Sequence, residues 1–222
     1  MINTQMTDEQ YEFLVGNLLG DGSLSKLTDK SKNSLFEIKQ KLNRSEYIKY
    51  LFKKYKPFSK KYTEGKSKKP VRIKGKIVHN LGSDYCYWCK LRTISHPCFT
   101  VLRNKWYIIK NNKSKKIIPR DLKITWRAAA SWACDDGYNH DGRTFRLYTD
   151  CFSTMEVKFL LKIIKRDLGL IGKINFRKTR PTIVFCGDNA FNFMDGIKQF
   201  VPNCYKYKTL NRLSKYKPRK VK

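Results

Sequence analysis

Two nine-residue stretches of this 222-residue chain follow one pattern: L-V-G-N-L-L-G-D-G at 14–22 and A-A-S-W-A-C-D-D-G at 129–137. Each reads as an apolar helix that stops on Asp-Gly, at Asp21-Gly22 and Asp136-Gly137. Glycine after a last turn predicts a left-handed helix stop. The aspartate runs against the helix macrodipole, whose negative end disfavours an anion by about 0.3–1 kcal/mol. The same unfavourable placement made twice calls for a compensating cation. Small residues sit one turn back on a single face, at Gly16 and Gly20 and at Ser131. Gly16 and Gly20, four apart, leave a smooth ridge on which a second helix backbone can lie. Two such helices packed side by side in parallel would bring Asp21 and Asp136 out at one end.

The intervening chain repeats as well. Thr7 and Gln10 form a capping box before the first motif helix. Residues 23–40 alternate around a polar turn at 28–33, a hairpin pattern. Asn43 and Glu46 read as a second capping box, opening an amphipathic helix that ends near Pro57. Residues 59–70 read as a flexible lysine-rich loop, 71–78 and 84–94 as two strands, 97 onward as a third helix, and 110–116 as a polar linker. The second half follows suit: the motif helix at 126–136, a loop at 139–142 and a strand at 144–151. A helix capped by Ser153 and Glu156 comes next, with Phe152 and Val157 as its hydrophobic staple. A hairpin over 173–187 and a last helix from Asp188 complete the half. The two aspartates lie 115 residues apart, and a tandem duplication with small loop changes accounts for the spacing. The expected fold is α+β, an αββαββα unit used twice, with halves at 1–112 and 113–222.

Composition narrows the partner. Lysine and arginine number 48 against 18 acidic residues, a formal charge of +30 and a pI near 9.9, so a polyanion, nucleic acid, is the default partner. The basic residues are not gathered on one amphipathic helix, which argues against a membrane surface, and no run approaches the roughly 20 apolar residues of a membrane span. Seven scattered cysteines do not suit a secreted disulfide framework. The lone Cys86-x-x-Cys89, near His96 and Cys98, lies in extended chain where positions three apart face opposite sides, so a zinc cluster is not expected. No export signal is visible. An intracellular location is expected, the mitochondrion or chloroplast if the gene is organellar.

The paired stretches resemble the repeated motif of the LAGLIDADG homing endonucleases, most closely the single-chain, two-motif, intron-encoded members. The first copy keeps the glycine, the apolar run and the final Asp-Gly; the second has Ala and Ser for the leading Leu and internal Gly but keeps Asp-Asp-Gly. The resemblance implies that the motif helices pack at a pseudo-twofold interface and that two antiparallel sheets form a DNA-binding saddle. It further implies that Asp21 and Asp136 are catalytic metal ligands, with the backbone carbonyls of Gly20 and Asp135 nearby. Lys116, in K-I-I-P, matches a lysine that the family sets beside the site, and Lys208, in Y-K-Y-K-T, matches its counterpart, with Lys206 as an alternative register. Oxygen ligands suit Mg²⁺, and Mn²⁺ or Ca²⁺ could occupy the same place. Strand parity nominates Glu37, Lys39, Arg72, Lys74, Lys90, Arg92, Arg146, Tyr148, Lys173, Arg177 and Arg180 for the DNA-facing surface. Asp150 departs from the neutral polar residue common at its position. The implied activity is a Mg²⁺-dependent double-strand break at a long asymmetric site, made by a monomer on double-stranded DNA. An RNA-binding intron-splicing cofactor on the same scaffold, or a catalytically silent DNA-binding regulator, is the alternative.

Overall fold

The computed structural model describes residues 5–28, 31–73, 76–78 and 83–210. In chain order the elements are α1 (Asp8–Leu19), β1 (Ser23–Leu24), β2 (Phe36–Lys41), α2 (Ser45–Lys54), β3 (Ser59–Lys68), β4 (Val71–Ile73), β5 (Lys76–Val78) and β6 (Tyr85–Thr93). They continue as α3 (Pro97–Trp106), β7 (Tyr107–Lys110), β8 (Lys113–Lys116), α4 (Trp126–Asp136), β9 (Gly137–Asn139), β10 (Thr144–Tyr148), α5 (Thr154–Leu168), β11 (Lys173–Arg177), β12 (Arg180–Cys186) and α6 (Asp188–Lys198). The fold is α+β. Packing divides it into two compact units, Gly22–Thr100 and Gln5–Asp21 with the chain from Val101.

In the first unit an antiparallel sheet has the order β1-β2-β6-β3, and α2 covers one face of it. Alternation explains the choice of face. Phe36 and Ile38 of β2 and Cys89 and Leu91 of β6 are buried, while Lys39 and Arg92 between them are exposed. Tyr55 packs on Phe36 at 5.1 Å, and Phe58 meets Phe99 edge-on at 5.5 Å, filling the core beneath the sheet.

The second unit contains a sheet of order β9-β10-β12-β11, which is the first sheet's order transposed by the repeat. Phe145 and Phe185 of that sheet each lie 4.8 Å from Phe193 of α6, ring centre to ring centre. Thr7 and Ser153 both complete the expected capping boxes, with side chains accepting from the Gln10 and Glu156 amides. Such a cap contributes about 1 kcal/mol.

Local structure departs from the sequence reading at several places. The lysine-rich stretch from Ser59 to Lys68 is a ten-residue strand, not a loop: its backbone pairs with β6 from Ser59↔Thr93 to Lys68↔Tyr85. Backbone hydrogen bonds carry this edge strand, so its side chains need no apolar alternation, and edge lysines discourage further pairing. The stretch expected as one strand at 71–78 is instead two short strands, β4 and β5, paired to each other. The 110–116 linker is the far side of a hairpin, β7 with β8, turning on Asn111 and Asn112 at φ of 50° and 56°. Adjacent asparagines tolerate that left-handed pair, the signature of a type I′ turn. Asn43 does not cap α2: a 3-10 turn over Leu42–Arg44 leads into the helix with no side-chain cap. Neither Gly22 nor Gly137 is a left-handed stop: the described glycines with positive φ are Gly142, Gly169 and Gly187, and Gly137 has φ of −84°. It is glycine because a Cβ there would come 2.4 Å from the Ala133 carbonyl oxygen.

The two motif helices, α1 and α4, pack directly within the second unit. A Cβ on Gly16 would lie 2.6 Å from Ser131 Cβ and 2.2 Å from the Ala128 oxygen; one on Gly20 would lie 2.5 Å from Asp135 Cβ. Both glycines meet the residue 115 positions on, so the helices run parallel and in the register of the repeat. The glycine ridge is filled by the partner helix backbone, and overfilling such a contact costs about 1–3 kcal/mol. Gly16→Ala is expected to destabilise the protein by that amount in a denaturant titration, whereas Val101→Ala, at an exposed site, should change stability by less than about 0.5 kcal/mol.

Candidate active site

Asp21 and Asp136 occupy the ends of the packed helices. Asp21 is exposed and Asp136 half-buried. Burial, and then the Asp21 charge, push the Asp136 carboxyl up to about 7, against opposing pulls from Lys116 and Lys208. The two acids therefore share one electrostatic neighbourhood.

The compensating cations come from the tail of each repeat. Lys116, at the end of β8, donates its ammonium to the carbonyl oxygens of Leu18 at 2.8 Å and Gly20 at 3.3 Å, at the end of α1. Lys208, in a 3-10 turn over Asn203–Thr209, donates to the carbonyls of Ala133 at 2.8 Å and Cys134 at 2.7 Å, at the end of α4. It is Lys208, buried, that reaches the helix; Lys206 is exposed. Each lysine donates to carbonyls of the last turn, where backbone partners run out, and neutralises the negative pole there; the Ala133 carbonyl accepts from the Gly137 amide as well. Burial draws the Lys116 ammonium below the usual lysine range, opposed by acidic neighbours that include Asp135, Asp136 and Asp21.

Sequence reasoning missed the bond that crosses the helix interface. Asn17, wholly buried, donates to the Asp135 carboxylate at 2.8 Å, and Glu12 pairs with Arg127 further along the same two helices. The available signal was Asn17 itself, a polar residue inside an apolar run. Its bond holds the Asp135 side chain at the interface, and the Gly20 carbonyl already accepts from Lys116.

The nominated recognition residues sort by ladder register. In the first unit Glu37 faces Arg92 and Lys39 faces Lys90 across β2 and β6, all on the face away from buried Ile38 and Leu91. Glu37 lies 3.2 Å from Lys90 and 4.0 Å from Arg92. Trp88 belongs to this face too, though parity did not nominate it: its ring packs over Gly65, with the Lys39 ammonium 4.3 Å from its centre. Arg72 lies in β4, and Lys74 is outside the described residues. In the second unit Arg146 and Lys173 both face Val184, and Arg177 faces Arg180, on the side away from Phe145 and Phe185. Tyr148 shares that side by strand alternation. Asp150 holds Arg180 at 2.8 Å and Arg177 at 3.3 Å.

Carboxylates kept at paired helix ends against their own electrostatics, in a strongly basic protein with cationic sheet faces, suit an enzyme that acts on nucleic-acid phosphodiesters. The comparisons agree. The sequence profile of the LAGLIDADG DNA endonuclease family matches residues 11–193. The probable intron-encoded endonuclease 1 of Wickerhamomyces canadensis is 27% identical over 216 residues, 93% of this chain and 86% of that protein. The probable intron-encoded DNA endonuclease 3 of Mycosarcoma maydis is 28% identical over 131 residues, 57% of this chain and 95% of that one. Among solved structures, the homing endonuclease I-WcaI bound to its DNA recognition sequence superimposes with a TM-score of 0.76 at 25% identity, covering 93% of this chain and 88% of that chain. The chain belongs to the LAGLIDADG DNA endonuclease family and is a site-specific DNA endonuclease.

The raised Asp136 carboxyl has a measurable sign. A group that titrates higher when folded contributes stability that is fully present below its unfolded pKa of about 4 and is lost as pH rises through its folded pKa. For Asp136 that loss runs progressively from about pH 4 and is complete above about 7. In chelator, Asp136→Asn is expected to be more stable than wild type by about 2 kcal/mol at pH 8 and to lose that advantage near pH 4, read by denaturant titration.

Proposed function

We propose that this chain, acting as a monomer, makes a Mg²⁺-dependent double-strand break in a long, asymmetric DNA target. The observation that carries the reading is the pair of helix ends: Asp21 and Asp136 influence each other, and each helix terminus is held by its own buried or half-buried lysine. One chain supplies both acids, so no second copy is needed. Two different half-sites in a single chain fit an asymmetric target.

The donor set suits a hard divalent ion. A half-buried carboxyl raised to about 7 is an anion site short of positive charge. Among the described residues no group of three or more His, Cys, Asp or Glu side chains converges to hold a metal. Two carboxylates with phosphate and water completing the shell is the pattern that Mg²⁺ favours at phosphoryl sites. Asp21 and Asp136 would hold the ions, which when bound supply Lewis acidity and an activated water. The protein's own contribution is geometric and electrostatic. The aligned carbonyls of α1 and α4 add negative potential where cations bind, and Asn17 keeps the Asp135 side chain turned into the interface. Lys116 and Lys208 stand ready to oppose charge building on the phosphate as the 3′ oxygen leaves. One aspartate per strand gives two cuts.

The sheet faces would read the duplex, Arg and Lys donating to base edges and phosphates. With a formal charge of +30, affinity is expected to fall by about a hundredfold or more between 50 and 200 mM salt in a fluorescence anisotropy titration. A flat response would contradict the assignment.

Plasmids carrying a library of candidate sites, incubated with Mg²⁺, test the reaction itself. Wild type should yield linear product, while Asp21→Asn and Asp136→Asn bind the selected site but give no linear product. Splicing of an intron transcript without any cleavage would instead support the RNA-binding alternative.

A further inference from the structure

On the outer face of the second sheet lies a hollow of about 90 Å³, whose lining includes Arg146, Tyr148, Arg177, Thr182 and Val184, with Asn175 and Phe176 at its β11 side. Its position follows from the ladder: Tyr148 and Asn175 both face Thr182, and Arg146 faces Val184. It therefore opens on the side away from the Phe145–Phe185–Phe193 core, the side that the proposed function gives to DNA.

Two features make it a site and not a dimple. Thr182 is 4% exposed, yet its hydroxyl has no hydrogen-bond partner, and neither does the buried Nε of Arg146. An orphaned buried polar atom costs about 1–3 kcal/mol, and a ligand that completes it recovers that cost. Beside them the lining is apolar: Val184 is buried among polar and cationic neighbours. The rim is fixed, since Asp150 holds Arg177 at 3.3 Å and the Arg177 guanidinium lies 5.4 Å from the Tyr148 ring centre.

The two unpartnered donors, set beside an apolar side chain, are best matched by one major-groove base edge. Guanine offers two acceptors and no methyl, cytosine a donor, adenine an acceptor with a donor. Thymine alone offers the O4 acceptor next to a C5 methyl group. We propose that this hollow reads a single thymine of the target, Thr182 Oγ1 and Arg146 Nε donating to O4 while Val184 and the Thr182 methyl pack on the C5 methyl. The inference rests on the DNA-reading role of this face.

The test begins with selection of a target by wild type from a randomised duplex library. One position should be fixed as thymine, and replacing that base by deoxyuridine, which removes only the methyl, should weaken wild-type binding about fivefold or more. Thr182→Val, which keeps the shape and deletes the hydroxyl, should lose about tenfold of discrimination at that position and none elsewhere. Its thermal midpoint should not fall, because the hydroxyl makes no bond in the free protein. Unchanged preference at every position, a loss spread evenly over the site, or an affected base other than thymine would each overturn the proposal. If wild type selects no sequence at all, the recognition role of the face falls, and this reading falls with it.

Discussion

The closeness of α1 to α4 is the constraint on which the arrangement of the two acidic helix ends depends. At Gly16 and Gly20 there is no room for even a methyl group, and both glycines meet the residue 115 positions further along. Parallel helices in contact at that distance must end together. Their ends carry the two aspartates, so the geometry that makes a site also creates a problem: two acids near each other, each at the negative pole of a helix. The raised Asp136 carboxyl records that conflict.

Lys116 and Lys208 resolve part of it. Neither is on a motif helix; each arrives on the segment that follows the third helix of its repeat and donates to the carbonyls of its own repeat's motif helix. The routes differ. A hairpin turning on Asn111 and Asn112 delivers Lys116, and a 3-10 turn delivers Lys208. Two solutions with different backbone and the same end point indicate that the requirement is electrostatic: cationic donors at helix termini that also carry acids.

The sheets show a second common device. Each basic face contains a carboxylate that fixes two cations, Glu37 with Lys90 and Arg92 in one unit, Asp150 with Arg177 and Arg180 in the other. On a surface with so much positive charge, long side chains would otherwise sample many positions. Holding two of them restricts that sampling and neutralises part of the local positive charge.

Much of this was legible in the amino-acid sequence, because it is carried by patterns with short range. The duplicated Asp-Gly endings, the Thr7 and Ser153 capping boxes, and the alternation of β2, β6 and β10 are local, and local chemistry determines them. What the sequence could not decide depends on backbone pairing and distant contact. Ser59–Lys68 has no apolar alternation, so only its hydrogen bonds to β6 make it a strand. Asn17 reads as an anomaly until Asp135, 118 residues away, is brought within 2.8 Å of it. Which lysine of Lys206 and Lys208 serves α4 was ambiguous by spacing, and burial of one against the Ala133 and Cys134 carbonyls decides it. The sequence by itself determined two acidic helix ends and a polyanionic partner, since periodicity and charge act along the chain. The tertiary structure alone decided what surrounds those ends, since desolvation and hydrogen-bond geometry arise only between residues that folding brings together.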